Sequence, residues 1–218
     1  MRSLALVLAA GIAASSVACT SSAPAGAPEF SSVRERLAKP TRLYIAPGTS
    51  TGMITAARYT HDGWVSGMTP LTVSSGEVDG VLRADGSLEV SQFEVGVNDI
   101  EIPESVFGKP AQLKDVTVAL PKASLADVSW TGEDDATATL TLALDLQWTL
   151  VVDGNAAPLG AQHLPPVTVD VAITGAGDHV DASLALDATG ELWNWADLLK
   201  LTELELSLAA ATQDELEM

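Results

Sequence analysis

The chain has 218 residues, with 11 basic against 29 acidic side chains, a net charge of −18 and a single cysteine. That charge argues against a nucleic-acid-binding surface and against unassisted docking on anionic lipid, since both carry the same sign as the protein. One cysteine excludes an internal disulfide, and the length suffices for one domain with a sizeable core.

The chain opens with Met1-Arg2, followed by the apolar run Leu4 to Ala14 and then by Ser15-Ser16-Val17-Ala18 before Cys19. A positive start, a short apolar run and small residues ahead of a cut form a secretion signal, and the run is shorter than the roughly 20 residues of a membrane span. Val17-Ala18-Cys19 resembles the lipobox of bacterial lipoproteins, with Ser16 where that pattern usually carries Leu. The resemblance implies cleavage after Ala18, acylation of Cys19 and a lipid-anchored protein of the cell envelope. Thr20, in place of Asp, resembles lipoproteins passed on to the outer membrane. The alternative is a plain secretory signal with Cys19 incidental. Removing residues 1–18 takes away one charge, Arg2, and leaves 10 basic against 29 acidic residues.

Residues 19–30 read as the modified cysteine and a Ser/Ala/Pro/Gly tether without charge over Thr20 to Pro28. A short helix is expected over 31–40, where Val33 and Leu37 lie four apart, Ser31 or Ser32 can cap, and Arg34, Arg36 and Lys39 cluster. It is placed either on the rim of the domain or near lipid headgroups.

From 41 to 212 the pattern is β. Turn signals recur at Asp62-Gly63, Asp85-Gly86, Asp153-Gly154 and Gly175 to Asp178. Leu140, Leu142, Leu144, Leu146, Trp148 and Leu150 alternate with polar or small residues from Ala138 to Leu150, which predicts one strand of thirteen residues with a buried face. Val167 to Ile173, Val180 to Leu186 and Leu204 to Leu208 predict an antiparallel meander. Leu192, Trp195 and Leu199 predict one or two helical turns over Glu191 to Leu201. The apolar phase changes between Val90 and Phe93 and again between Val97 and Ile100, which predicts two β-bulges. Residues 213–218 read as a disordered tail.

Leu43-Tyr44-Ile45-Ala46-Pro47-Gly48-Thr49-Ser50 resembles the opening strand and turn of the YceI-like family. Gly76 to Leu82, Thr149 to Gly154, Leu164 to Val169 and Val180 to Gly190 follow the order of that family's later strands. The likeness covers most of Thr41 to Ala210, with Thr49-Ser50 where the family has His-Ser. It implies an all-β, antiparallel, lipocalin-type barrel of about eight strands that holds a polyisoprenoid or similar amphiphile. The expected lining is Leu140, Leu142, Leu144, Leu146 and Trp148, with Phe93, Val95, Val171 and Leu184. The expected partners are thus one apolar, lipid-like ligand and the membrane that takes the anchor, with no nucleic acid.

No residue pattern points to an enzyme, a cofactor or a metal site. His61, His163 and His179 fall in or beside separate turns, and a three-histidine site would need them to converge. His61-Asp62 and Asp178-His179 are sequence neighbours, which point apart on a strand. Glu133-Asp134-Asp135 lacks the ligand spacing of a calcium loop and reads as a solvated hairpin tip. Trp64, Trp130 and Trp148 fit either cavity or core, and one of Trp193 and Trp195 suits a barrel mouth or a membrane surface. The rival to a ligand carrier is a structural or adhesive lipoprotein whose interior is filled by its own side chains.

Overall fold

The computed structural model describes residues 29–194 and 197–213. The expected signal, Cys19 and most of the tether, Trp195, and all but the first residue of the expected tail lie outside the described residues.

A short helix, α1 (Val33–Leu37), leads into β1 (Thr41–Ile45), β2 (Thr51–Thr60), β3 (Gly63–Leu82), β4 (Leu88–Val97) and β5 (Ile100–Ile102). One turn of helix, α2 (Glu104–Phe107), precedes β6 (Ala111–Ala119), β7 (Ser124–Trp130), β8 (Ala136–Leu142), β9 (Asp145–Val152) and β10 (Asn155–His163). The chain closes with the meander β11 (Val167–Ala176), β12 (His179–Asn194) and β13 (Leu199–Ala211). Every pairing is antiparallel, as alternating apolar and polar residues joined by tight turns require. Asp153 (φ 49°) and Gly154 (φ 78°) form the β9–β10 turn with both central residues at positive φ, the geometry that follows strand twist in a two-residue hairpin.

The pairings close a circuit of eight strands in the order β1, β3, β4, β7, β8, β11, β12, β13 and back to β1. Toward the other end of the molecule β2 takes the place of β1 between β3 and β13, pairing with Gly63–Thr72 and with Leu199–Ser207. There the circuit is not closed. Leu88–Val90 of β4 pair with β7, whereas Glu94–Val97 pair with β6, from which β9 and β10 branch outward and β5 hangs at the side. The molecule therefore has a ring half and a branched half, and thirteen strands in total among the described residues.

Three expectations are corrected. The strand predicted over Ala138 to Leu150 is two strands, because the chain leaves the ring between Leu142 and Asp145: β8 pairs with β7 and β11, while β9 pairs with β6 and β10. The buried face nevertheless runs through the break, with Leu142, Leu144, Leu146, Trp148 and Leu150 all at most 1% exposed. Alternation records which side is dry; it does not record which neighbour pairs.

The helix predicted over Glu191 to Leu201 is a hairpin. Leu192 pairs with Leu201 and Asn194 with Leu199, so the spacing of Leu192 and Leu199 arises from folding the chain back, with both side chains on one face. The second expected bulge, between Val97 and Ile100, is a strand end at Asn98-Asp99. The first is a true bulge: the β3–β4 register slips between Asp79 and Gly80, leaving Ser91 without an opposite residue.

The short helix stands where its spacing puts it. Ser32 is the cap, accepting from the Glu35 backbone N–H at 3.2 Å, and Val33 and Leu37 are buried.

Candidate functional site

The ring encloses an apolar cavity of about 70 Å³. Each of the eight strands of the circuit contributes to its wall, and Leu37 of α1 reaches it from the end. On β1 the period of two turns Thr41, Leu43 and Ile45 inward; on β4 the bulge at Ser91 lets Val90 and Phe93 share the inner face. Gly80, Ala126, Ala138, Ala182 and Ala210 occupy inward positions on five strands. An eight-strand ring is just wide enough to be filled by side chains or to hold one ligand, and small residues at inward positions leave the space open.

Thr41 is the one polar residue of the wall, and its hydroxyl is already engaged. It lies 2.9 Å from the Lys39 carbonyl, to which it donates, and accepts from Arg36 Nη1 at 2.9 Å. The cavity thus presents dispersion contacts and no spare hydrogen-bonding group, an environment for hydrocarbon.

Of the residues expected to line a ligand site, Phe93, Leu140, Val171 and Leu184 border this cavity. Val171 and Leu184 are cross-strand partners on β11 and β12. Val95, Leu142, Leu144, Leu146 and Trp148 do not border it; they are packed in the core, with Leu146 facing a crevice of about 10 Å³ beside Ile54 and Leu192. Sequence reasoning missed Leu37, the inward face of β1 and the five small residues. Ala138 stands in the same phase as Leu140, and that phase was the available signal.

α1 lies across the end of the ring. Asp178, in the β11–β12 turn, accepts from the backbone N–H of Glu29 and of Phe30 at 2.7 Å each. Asp134 accepts from the Val33 N–H at 2.8 Å, and the Glu133 carbonyl accepts from the Arg34 N–H at 3.1 Å. The acidic cluster is an exposed hairpin tip, as expected, and it also moors the helix through Glu133 and Asp134. Val33 sits on Gly175, where a φ of 149° and an added Cβ only 2.2 Å from the His179 carbonyl oxygen, and 3.0 Å from Val33 Cγ2, leave no place for another residue.

Charges stay outside. The Arg42 guanidinium is raised above its ordinary pKa by its hydrogen bond to Asp79, with Glu77 adding to the field. Glu35 is lowered by hydrogen bonds from the Ser31 hydroxyl and N–H. Glu191 is lowered by its hydrogen bond with Lys200.

The histidines do not converge, and no group of three His, Cys, Asp or Glu side chains among the described residues is placed to hold a metal. His61 does meet its neighbour Asp62, at 2.9 Å, because both lie in an exposed turn where strand alternation does not apply. His163 pairs with Asp145. His179 meets Asp181 at 2.9 Å, on the same side of β12, while Asp178 turns to the N-terminal segment.

Trp64 is 47% exposed on the outer surface of the branched half, away from the cavity. It stacks edge-on with Tyr59 and Trp193 and lies under the Lys200 ammonium at 4.4 Å. Trp130 is covered by Arg34.

A comparison with protein-family models finds no match to this chain, and a comparison with curated proteins finds none either.

Proposed function

We propose that the chain is an envelope lipoprotein, anchored through Cys19, whose ring of strands is a lipocalin-type barrel binding one apolar chain, isoprenoid or fatty-acid-like, without catalysis. The observation that carries this is the cavity inside the ring, walled by all eight strands and without a free polar group. Thr41 to Ile45, the inward-facing stretch of β1, spans about 14 Å at ~3.4 Å per residue, the direction in which one chain would lie end-on. The resemblance to the YceI-like family implies the same ligand class.

A specific observation favours the second reading, a structural lipoprotein with a filled interior: the cavity is about 70 Å³, against ~300 to 1,000 Å³ for typical ligand sites. Fluorescence titration of the purified protein with a conjugated polyene fatty acid separates the two. Saturable one-to-one binding at micromolar concentration or below is expected. No binding up to the solubility limit of the probe selects the structural reading. For the anchor, Cys19→Ala is expected to shift the protein from the membrane to the soluble envelope fraction, and unchanged partition would refute acylation.

A further inference from the structure

The geometry points to a route into the cavity: α1 is a lid that closes the end of the ring, and a chain enters when the lid swings away about residues 38–40. This inference rests on the apolar-ligand reading and adds where the ligand enters and what admits it.

The attachment of α1 is one-sided. At its C-terminal side the chain continues through Ala38, Lys39 and Pro40 into β1 and cannot leave. At its N-terminal side the contacts are hydrogen bonds to two hairpin tips: Asp178 to Glu29 and Phe30, Asp134 to Val33, and Glu133 to Arg34. Arg34 adds a contact with the Trp130 ring at 5.4 Å. Only Val33 and Leu37 go inward as buried apolar side chains, and Leu37 is itself part of the cavity wall. A five-residue helix has no stability of its own, so once released it need not persist as a helix.

Leu37 therefore occupies volume that a ligand would need, and a bound chain and a seated α1 compete. In such a competition the apparent affinity is the intrinsic affinity scaled by the fraction of molecules with the lid open. Loosening the mooring raises that fraction and with it the association rate. It leaves the dissociation rate alone, because the lid is already displaced in the complex.

The test is stopped-flow binding of the polyene fatty acid to the full protein, to the double variant Asp134→Ala/Asp178→Ala, and to Leu37→Ala. Asp134 and Asp178 lie in hairpin tips outside the cavity wall, and thermal melts check that the variants fold; if the double variant melts early, Asp178→Asn carries the same comparison. The double variant is expected to associate about fivefold faster or more, with an unchanged dissociation rate. Amides of residues 33–38 are expected to exchange hydrogen faster in it, while those of β11–β13 do not change. Equal association rates in a protein that binds, or α1 amides as protected as before, overturn the lid and leave the ligand site standing. Absence of binding in all three proteins overturns the ligand reading itself.

Discussion

In the ring half, Gly80, Ala126, Ala138, Ala182 and Ala210 fill five of the nineteen positions around a cavity of about 70 Å³. In the branched half, Leu146 meets Ile54, Leu192 and Leu204 around a crevice of about 10 Å³, and Leu144, Trp148, Leu150 and Leu206 are at most 2% exposed. Both halves use the same alternation, and strands β4 and β12 run through both. The difference lies in side-chain volume at inward positions. One half is packed without a sizeable gap, and the other leaves a space inside the same continuous core.

The largest expected effect breaks the packed half. Leu144 is 1% exposed where the chain passes from β8 to β9, and Leu144→Asp places a carboxylate among leucines; loss of ~4 kcal/mol or more, seen as failure to fold in urea titration, is expected. A folded variant of wild-type stability would mean that this face is wet.

Two leucines of β13 sharpen the contrast. Leu206 and Leu208 are both buried, but only Leu208 borders the cavity. Leu206→Ala is expected to cost ~3 to 4 kcal/mol. Leu208→Ala, which gives up fewer contacts because one side already faces space, is expected to cost ~2 kcal/mol. Equal costs in chemical denaturation would mean that the two halves are packed alike.

Adding volume reverses the order. Ala182→Leu points into the cavity and is expected to be neutral or to stabilise by up to ~1 kcal/mol while abolishing uptake of an apolar probe. Ala188→Leu, six residues on along β12 and 1% exposed in the packed half, is expected to destabilise by ~1 to 3 kcal/mol. The two melting temperatures should move in opposite directions or differ by several degrees.

The smallest effect concerns the N-terminal segment. Glu35 has a depressed pKa through Ser31, so its contribution is present above the ordinary glutamate pKa and fades as pH falls through the lowered value. Ser31→Ala should return the Glu35 titration, followed by NMR, toward the ordinary range without a measurable change in global melting.

Much of this contrast was readable from the chain. The run from Leu140 to Leu150 announces a dry face, and the Asp-Gly pairs place the hairpins. The break between Leu142 and Asp145 was hidden, because alternation is the same whether a strand pairs with β7 and β11 or with β6 and β10. The Leu192–Leu199 spacing misled for a related reason: seven residues bring two side chains to one face both around two helical turns and across a hairpin. At the site, Phe93, Leu140, Val171 and Leu184 were legible as apolar inward residues. The space between them was not, since a cavity is made by what Ala and Gly fail to fill. Asp178 and Asp134 looked like ordinary turn residues, and only the returning N-terminal segment gives them a role.

The most direct test of the ring as a binding chamber is native mass spectrometry of the protein taken from a bacterial envelope under mild conditions, beside Ala182→Leu treated identically. A stoichiometric apolar adduct on the native chain and its loss from the variant are expected. A bare mass for both, unchanged after incubation with a fatty acid or an isoprenoid, would contradict the proposed binding role and leave a ring whose cavity is a packing defect.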